Sequence, residues 1–460
     1  MRWSGLSLVF VVAGLPVFAQ DRAEDRRSFL DPATPVSEDP RRVPAKPGSH
    51  GPDGMIVIRG GRIFDGTGAP ARPGTLMIEG DRILPILPPE ATGWSDDARM
   101  IDATGKTVMP GLIDLHTHLT YTEPNVDPLV ANDISDATLR GAERLRFYIE
   151  SGITSVRDVA SHREVPFRLK AWVAQNRIPG PRIFAAGQLI TGTGGHGAEG
   201  LAPGATLYGA IREAKGPDDW REAVREQFKA GADVIKIASH FSREEVKAAI
   251  EEAHALGLRV TCDCETFYIQ WAVDAGVDCI EHPLPRTDGT IVLMAKRGVY
   301  AVPTLIPYVY IFDQLGGYYD STSRRFTFSK SADVTMLIKM KRAGVKLGIG
   351  TDLIEDWFRY LPQPYITELK HFASAGFGEV GALLAATRTG AEILDMADKI
   401  GTLEPGKLAD VLIVDGKPDV ELDDLAKVDT VIRDGWVVVE SGHVAVPRHV
   451  PAAPPSPTAR

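Results

Sequence analysis

The sequence predicts an α/β protein built on a (β/α)₈ TIM barrel, with a small composite β-sandwich formed by both chain ends. Between residues 111 and 398, eight apolar strand candidates alternate with amphipathic helices, which is typical of a parallel sheet closed into a barrel. Residues 55–110 and 399–446 instead contain short alternating strands separated by glycine turns, which indicate antiparallel pairing. We therefore expect these two flanking ranges to complete one sandwich.

The eight barrel strands are separated by helical segments. In chain order they are predicted at GLIDLHTHL, GITSVRDVA, PRIFAAG, GADVIKIAS, GLRVTCDCE, GVDCIEH, GVYAVPTL and GVKLGIGTD. One intervening helix shows the expected signals in detail. Ser242 and Glu245 form a capping box, Val246 and Ile250 belong to its apolar face, and Gly257 ends it.

Both ends of the chain lie outside the predicted fold. A positively charged start and a short apolar stretch precede small residues near Ala19, a pattern typical of a signal peptide over residues 1–19. We therefore expect a periplasmic or secreted protein. Residues 20–54 and 447–460 are rich in proline, which predicts disordered segments. No later stretch is apolar over the length that a membrane span needs, so we expect no membrane association after signal removal.

Charge and cysteine content limit the classes of partner. The net charge is −10 and is spread without long runs of one sign, which argues against a nucleic-acid surface. The three cysteines, Cys262, Cys264 and Cys279, fall in one short region. A disulfide framework would usually have more cysteines in scattered positions, so we expect free thiols packed between layers.

Two histidines, His116 and His118, stand one residue apart at the end of the first barrel strand. Since side chains alternate along a strand, both point to the same side and can hold one cation. Barrel enzymes carry their chemistry at the carboxyl ends of the strands. Other ligand-type residues are predicted at the ends of other strands, namely Lys236, Asp263, His282 and Asp352. We therefore predict a metal site at the mouth of the barrel.

With these residues in place, the chain resembles the amidohydrolase superfamily over residues 55–445. The resemblance rests on MPGLIDLHTH, DVIKIAS, AGVDCIEHP, GVKLGIGTD and AATRTGAEILDMADKIGTLEPGKLADVLIVDG. Within the superfamily, LITGTGGHG and VPTLIPY resemble the imidazolonepropionase-like and Xaa-Pro dipeptidase group.

The resemblance implies one or two zinc ions as cofactor. By the family pattern, His116, His118 and Asp352 hold one ion, the strand-five and strand-six residues Asp263 and His282 hold the other, and a carboxylated Lys236 bridges them. Imidazole and carboxylate are the ligand types that zinc accepts. A plain lysine is normally protonated and is a poor ligand, so only its carbamate suits this role.

The chain departs from the family at strand five, where Asp263 occupies the place of a histidine. Three alternatives stay open at this stage. Asp263 ligates the second ion, which shifts the metal preference toward Mn²⁺; or the enzyme holds one ion and Asp263 binds substrate or forms a salt bridge; or a thiolate of Cys262 or Cys264 ligates zinc after a register slip.

The predicted reaction is hydrolysis of an amide bond in a small substrate, a dipeptide or an N-acyl amino acid, by metal-activated hydroxide. Asp352 is the predicted catalytic residue, acting as proton shuttle. Candidate substrate-binding residues are His196 in a glycine-rich loop, Tyr308 after strand seven, and Arg324 or Arg325 further along that segment.

Two other functions remain as alternatives. One is the opening or deamination of a cyclic amide, as in imidazolonepropionase. The other is a catalytically silent binding protein, suggested by the departure at Asp263. The resemblance is also compatible with a homo-oligomer. On strand two, Arg157 and Asp158 are expected to form an internal ion pair.

Overall fold

The computed structural model describes residues 51–122, 133–199, 209–284, 286–309 and 330–445. The predicted signal peptide, most of the predicted lead-in, the predicted tail, and Arg324 and Arg325 lie outside these ranges.

At both ends of the described chain, short strands follow one another closely. In its middle, longer segments separate one strand from the next. The strands are β1 (Met55–Arg59), β2 (Arg62–Ile63), β3 (Arg72–Pro73), β4 (Leu76–Glu79), β5 (Arg82–Ile83), β6 (Arg99–Asp102), β7 (Thr107–Pro110), β8 (Leu112–Thr117), β9 (Ile153–Asp158), β10 (Arg182–Ala185), β11 (Leu189–Gly192), β12 (Ile211–Ala214), β13 (Val234–Ala238), β14 (Arg259–Asp263), β15 (Cys279–Glu281), β16 (Tyr300–Val302), β17 (Val411–Val414), β18 (Val428–Arg433), β19 (Trp436–Glu440) and β20 (His443–Val444).

Most helices fall between the strands of the middle region. The α-helices are α1 (Ile134–Glu150), α2 (Val165–Ala174), α3 (Gly216–Ala230), α4 (Arg243–Ala255), α5 (Phe267–Ala275), α6 (Asp288–Arg297), α7 (Lys330–Ala343), α8 (Gln363–Phe372), α9 (Gly378–Ala385) and α10 (Arg388–Ile393). Short 3₁₀-helices occupy Glu355–Tyr360 and Leu422–Ala426, and a π-helical turn occupies Ala373–Phe377. Within the described ranges, no helix combines the length and the apolar character that a bilayer span requires.

Strands from the two chain ends pair directly with each other. β7 runs antiparallel to β17, with Met109 opposite Leu412, inside a seven-stranded sheet ordered β20-β19-β18-β17-β7-β2-β3. A second sheet has the order β5-β4-β1-β6. One buried apolar cluster contains residues of both sheets, including Ile58, Leu76 and Val411. The predicted meeting of the two ends is therefore confirmed, whereas the complete sandwich stays a prediction.

The middle of the chain forms parallel sheet, as predicted. One sheet has the order β10-β9-β8 and the other the order β12-β11-β13-β14-β15-β16. Seven of the eight predicted segments contain an assigned strand. The eighth, GVKLGIGTD, is linked to its neighbours by single bridges, Ala301↔Leu347 within it and Thr117↔Leu353 at the residue that follows it. Mixed α/β content with parallel strands is confirmed, and closure into one eight-stranded ring stays a prediction.

Two details differ from the sequence-based expectations. β11 and β12 are additional strands that the sequence did not predict. The sulfurs of Cys262 and Cys264 are joined in a disulfide, so the expectation of free thiols is wrong for this pair. Cys262 on β14 and Cys264 directly after it are both buried, and their Cα atoms are 5.4 Å apart, a separation that a disulfide can bridge. Cys279 is free and buried, as expected.

The predicted helix start at Ser242 is confirmed in detail. The Ser242 hydroxyl accepts from the Glu245 amide at 3.2 Å, and the Glu245 carboxylate accepts from the Ser242 amide at 2.6 Å. Val246 and Ile250 of α4 are buried. The helix is therefore anchored between β13 and β14, the two strands that carry Lys236 and Asp263.

Candidate metal centre

The loop that carries Asp352 is aligned with β8 through its backbone. The Asp352 amide donates to the His116 carbonyl at 2.8 Å. Gly350 lies so close to this strand that a Cβ atom there would stand 2.8 Å from the His116 Cβ. The sequence therefore requires glycine at this point, and its absence of a side chain lets the last segment approach the histidine pair.

The first group of ligand-type atoms consists of His116, His118 and Asp352. The Asp352 Oδ1 atom lies 3.4 Å from His116 Nε2 and 3.3 Å from His118 Nε2. One ligand atom from each residue lies within 4.8 Å of the others. Two imidazole nitrogens and one carboxylate oxygen are a donor set that suits zinc and related ions. These three residues form a candidate metal site.

Both histidines are held from behind by hydrogen bonds at Nδ1. His118 Nδ1 donates to the Ala160 carbonyl at 3.0 Å, and His116 Nδ1 lies 2.8 Å from Glu281 Oε2. Because both outer partners are acceptors, each Nδ1 is in a position to donate a hydrogen, and each Nε2 is directed toward Asp352. The outer partners thus orient both rings so that Nε2 is the nitrogen available to a metal ion.

A second group surrounds one oxygen of Asp263. His282 Nε2 lies 3.0 Å from Asp263 Oδ2, and Lys236 Nζ lies 3.7 Å from the same atom. Lys236 Nζ is also 3.5 Å from His116 Nε2, so this fully buried lysine stands between the two groups. All six residues predicted as ligands therefore come together, although their predicted roles remain untested by this geometry.

Two of these residues adopt backbone conformations that non-glycine residues rarely use. His282 has φ 65° and Asp352 has φ 51°, a conformation that costs about 1–3 kcal/mol. Each residue follows directly at the end of a strand or bridged segment. The left-handed conformation ends the alternation of side chains and turns His282 toward Asp263, while the preceding Glu281 faces His116.

Charges within the site shift the proton affinities of its members. Burial opposes ionisation of Asp352, but the nearby imidazoles of His116, His282 and His118 outweigh burial and lower its pKa. Burial, reinforced by the cation of Lys236, lowers the pKa of His116 well below its usual value. The Asp352 carboxylate therefore favours its ionised form, the form that binds metal ions.

Asp114 organises the backbone beneath the site. Its carboxylate accepts from the amides of His116 at 3.1 Å and Thr351 at 3.0 Å, and from the Thr351 hydroxyl at 2.5 Å. Burial raises the pKa of Asp114 to about 7 despite these bonds. Sequence reasoning gave no role to this residue, although it shares the face of β8 with His116.

The predicted substrate residues lie beside the second group where they are described. His196 Nε2 is 3.5 Å from Asp263 Oδ2. Tyr308 is buried, and its ring centroid lies 5.6 Å from that of His282. The other two candidates, Arg324 and Arg325, lie outside the described residues. Substrate contact by any of the four stays a prediction.

The expected ion pair between Arg157 and Asp158 is wrong. Successive side chains on β9 point to opposite faces. Arg157 therefore pairs with Glu281 across the sheet at 2.6 Å, whereas Asp158 accepts from the Ser161 hydroxyl at 2.9 Å and the Leu119 amide at 3.3 Å. Sequence reasoning missed Glu281, although its spacing of two from Cys279 places both side chains on one face of β15.

The thiolate alternative at strand five is also wrong. Lys236 is in register with Thr261, and Ala238 with Asp263, so no register slip occurs. Cys262 and Cys264 lie on the opposite face, fully buried in the apolar core and bonded to each other. Asp263 is the strand-five residue that faces the site.

Comparisons with known proteins agree with this geometry. Residues 107–438 match the amidohydrolase family. Ochratoxinase from Aspergillus niger is 24% identical over 421 residues, 84% of this chain and 86% of that protein. Imidazolonepropionase from Halobacterium salinarum is 27% identical over 380 residues, 74% of this chain and 85% of that protein.

A solved structure shares both fold and sequence. It is that of a prolidase complexed with N-methylphosphonate-L-proline, which is 28% identical and has a TM-score of 0.74, covering 84% of this chain and 100% of that one. The relatives include both groups that the sequence motifs resemble. Because the family match covers most of the chain, this protein belongs to the amidohydrolase family and is a hydrolase that acts on C–N bonds.

Proposed function

We propose that this protein is an exported, zinc-dependent amidohydrolase that cleaves the amide bond of a dipeptide or an N-acyl amino acid. The observation that carries the proposal is the meeting of His116 Nε2 and His118 Nε2 at Asp352 Oδ1, 3.4 and 3.3 Å away. We infer that a closed (β/α)₈ barrel presents these residues and that both chain ends complete a β-sandwich beside it. The signal-like residues 1–19 support a periplasmic or secreted location.

The donor set fits a zinc ion held by His116, His118 and Asp352. A bound zinc ion supplies Lewis-acid chemistry, lowering the pKa of water and polarising the amide carbonyl. Asp352 is the proposed proton shuttle because its carboxylate lies beside the histidine pair and its side chain is 14% exposed. It takes a proton from the attacking water and returns it to the leaving nitrogen.

We further propose that Lys236 is carboxylated and that Asp263 and His282 hold a second ion beside it. The support is a fully buried lysine whose Nζ lies 3.5 Å from His116 Nε2 and 3.7 Å from Asp263 Oδ2. A carbamate at this point offers oxygen ligands to both sides, and the carboxylate of Asp263 favours harder ions such as Mn²⁺. In the single-ion alternative, Asp263 instead forms a salt bridge with an unmodified Lys236.

The dipeptide or N-acyl amino acid substrate is supported by the similarity to a prolidase that holds a proline derivative. Its free carboxylate is proposed to meet His196 and Tyr308, which lie beside the second group. Arg324 and Arg325 are the cationic candidates of the segment between residues 309 and 330. We also propose a homo-oligomer, following the general habit of similar enzymes.

A second candidate function is the opening of a cyclic amide. The similarity to imidazolonepropionase favours it. A third candidate is a binding protein without catalytic activity, in which Asp263 in place of the strand-five histidine has abolished catalysis. These three functions differ in products, so one panel of substrates separates them.

The test combines metal analysis with that panel and a variant. Purified protein, prepared with bicarbonate and Zn²⁺, is assayed for bound metal, for cleavage of dipeptides and N-acyl amino acids, and for opening of imidazolone propionate. We expect bound zinc, amide cleavage and no ring opening. Asp352→Asn is expected to lower kcat by about 10²–10⁴-fold, the usual contribution of general acid–base catalysis, while the metal-free variant still unfolds cooperatively in urea.

The matched control is Asp288→Asn, because Asp288 is an aspartate at the start of α6 with 78% exposure. It is expected to retain full activity. Ring opening without amide cleavage would favour the second function. Binding of substrates without any turnover would favour the third, and near-normal kcat in Asp352→Asn would contradict the assigned proton shuttle.

A further inference from the structure

Glu281 is a buried carboxylate that contacts the candidate metal centre without belonging to it. Its side chain is fully buried. One oxygen, Oε2, accepts from His116 Nδ1 at 2.8 Å. The other, Oε1, accepts from Arg157 at 2.6 Å, from the Thr261 hydroxyl, and from the Cys279 thiol at 3.6 Å. The two oxygens therefore have separate hydrogen-bond partners.

Arg157 fixes this carboxylate in place. Its Nε donates to the Leu115 carbonyl at 2.6 Å, next to His116 in the chain, while the terminal nitrogen bonds Glu281. Arg157 is 2% exposed. A buried carboxylate is stable as an anion only with such a partner. The Glu281 carboxylate therefore faces His116 Nδ1 with one oxygen, and the Arg157 cation balances its charge at the other oxygen.

The two histidines differ in what stands behind them. The Nδ1 of His118 donates to a neutral carbonyl, that of Ala160, at 3.0 Å. The Nδ1 of His116 donates to a carboxylate. A carboxylate holds the Nδ1 hydrogen more strongly than a carbonyl does, so the tautomer of His116 is the more firmly fixed of the two.

We propose that Glu281 is a positioning residue that holds His116 in its Nδ1–H tautomer and thereby keeps Nε2 free to bind the metal ion. The proposal rests on the proposed function, because it assigns His116 to a metal. Glu281 fixes the tautomer whether or not an ion is bound, so the tautomer can be measured in the metal-free protein.

A glutamine at position 281 separates this role from a purely structural one. An amide has one acceptor oxygen and one donor nitrogen. Because Arg157 can only donate, the amide oxygen stays on its side, and the amide NH₂ then faces His116 Nδ1. The histidine must accept that hydrogen bond and carry its own hydrogen on Nε2. Glutamine matches glutamate closely in shape, yet in Glu281→Gln a hydrogen on Nε2 occupies the nitrogen that would bind the metal ion.

Removing Arg157 from the glutamine variant is expected to restore the Nδ1–H tautomer of His116. In Glu281→Gln/Arg157→Met the amide is free to rotate, because the Thr261 hydroxyl and the Cys279 thiol can accept as well as donate. The amide oxygen can then face His116 and restore the Nδ1–H tautomer. Glu281→Leu/Arg157→Met is the matched control, since leucine offers His116 no acceptor and the total charge is the same.

The experiment measures zinc affinity by competition with a chromophoric chelator, and the His116 tautomer by ¹⁵N chemical shifts of the metal-free protein. We expect Glu281→Gln to bind zinc about 10–100-fold more weakly and to show His116 with its hydrogen on Nε2. Glu281→Gln/Arg157→Met is expected to recover most of the affinity and the wild-type tautomer. Glu281→Leu/Arg157→Met is expected to remain weak. Urea unfolding of each metal-free variant reports whether it is folded.

Several outcomes would overturn the inference. One is wild-type affinity and an Nδ1–H His116 in Glu281→Gln. Another is equal zinc affinity in the two double variants, which decides the question even when the single variant does not fold. If the wild-type protein binds no zinc, the proposed function fails instead, and the ¹⁵N shifts of the metal-free wild type and double variants still test the control of the tautomer.

Discussion

The close approach at Gly350 allows a quantitative prediction for Gly350→Ala. A Cβ atom at this position would lie 2.5 Å from Val302 Cγ1, 2.8 Å from His116 Cβ and 3.1 Å from His116 N. Carbon atoms in favourable contact are about 3.5–4.0 Å apart, so at least two contacts are too short. The backbone of His116 is held by Asp352 at 2.8 Å and by the Asp114 carboxylate at 3.1 Å, and it cannot withdraw freely.

The expected cost follows from this rigidity. An extra methyl group in a packed core costs about 1–3 kcal/mol, and we expect a value near 3 kcal/mol for Gly350→Ala. Gly348→Ala is the matched control in the same segment. A Cβ there would lie 2.3 Å from Leu115 Cδ1 and 2.6 Å from Ile393 Cδ1. Both are terminal methyl groups that a side-chain rotation can move, whereas the backbone atom of His116 cannot, and we expect about 1 kcal/mol.

Urea unfolding of the metal-free proteins measures these costs, because bound metal would add its own contribution to stability. Zinc affinity is measured in parallel. Gly350→Ala is expected to weaken zinc binding as well as stability, since it displaces His116. Gly348→Ala is expected to change stability alone. Equal unfolding midpoints for the two variants, or unchanged zinc affinity in Gly350→Ala, would refute the argument from packing.

Three further predictions concern stability. Burial raises the pKa of Glu368 from 4.5 to about 8. The folded state therefore holds its proton more tightly, and its contribution to stability is complete below pH about 4.5 and is lost, by up to about 5 kcal/mol, as the pH rises through about 8. Glu368→Gln should show a smaller loss of urea midpoint between these pH values than the wild type. Ser242→Ala removes the acceptor of a helix cap and should lower the unfolding free energy by about 1 kcal/mol, measured by urea unfolding against an exposed Ser→Ala variant. Arg182→Met leaves Asp410 buried without its cation and should cost about 3–5 kcal/mol; a second substitution, Asp410→Asn, should restore part of that loss of thermal midpoint.

Much of the site follows from sequence because parallel strands bring their carboxyl ends to one edge. Period-two alternation places His116 and His118 on one side, and strand ends distant in sequence supply Lys236 and Asp352. These inferences require only the order of the strands and the location of each strand end. The register of β13 against β14, with Ala238 beside Asp263, agrees with them.

Long-range pairing could not be inferred in this way. Arg157 has an acidic neighbour in sequence, Asp158, yet its partner is Glu281, 124 residues away. The partner of Arg157 depends on which inward-facing side chains of β9 and β15 lie close together. Alternation tells which face a side chain is on, but it does not give the distance between side chains of different strands.

The strand ends also explain why consecutive residues can serve the same site. Alternation separates Glu281 from His282 while the chain remains extended. Because β15 ends at Glu281 and His282 adopts φ 65°, the next side chain turns back toward Asp263 and does not point into the outer layer. Glu281 then supports His116 from inside the sheet and His282 faces Asp263 from its edge. The strained turn at His282 therefore lets the sequence IEH place His282 in the second group and Glu281 behind His116 of the first group.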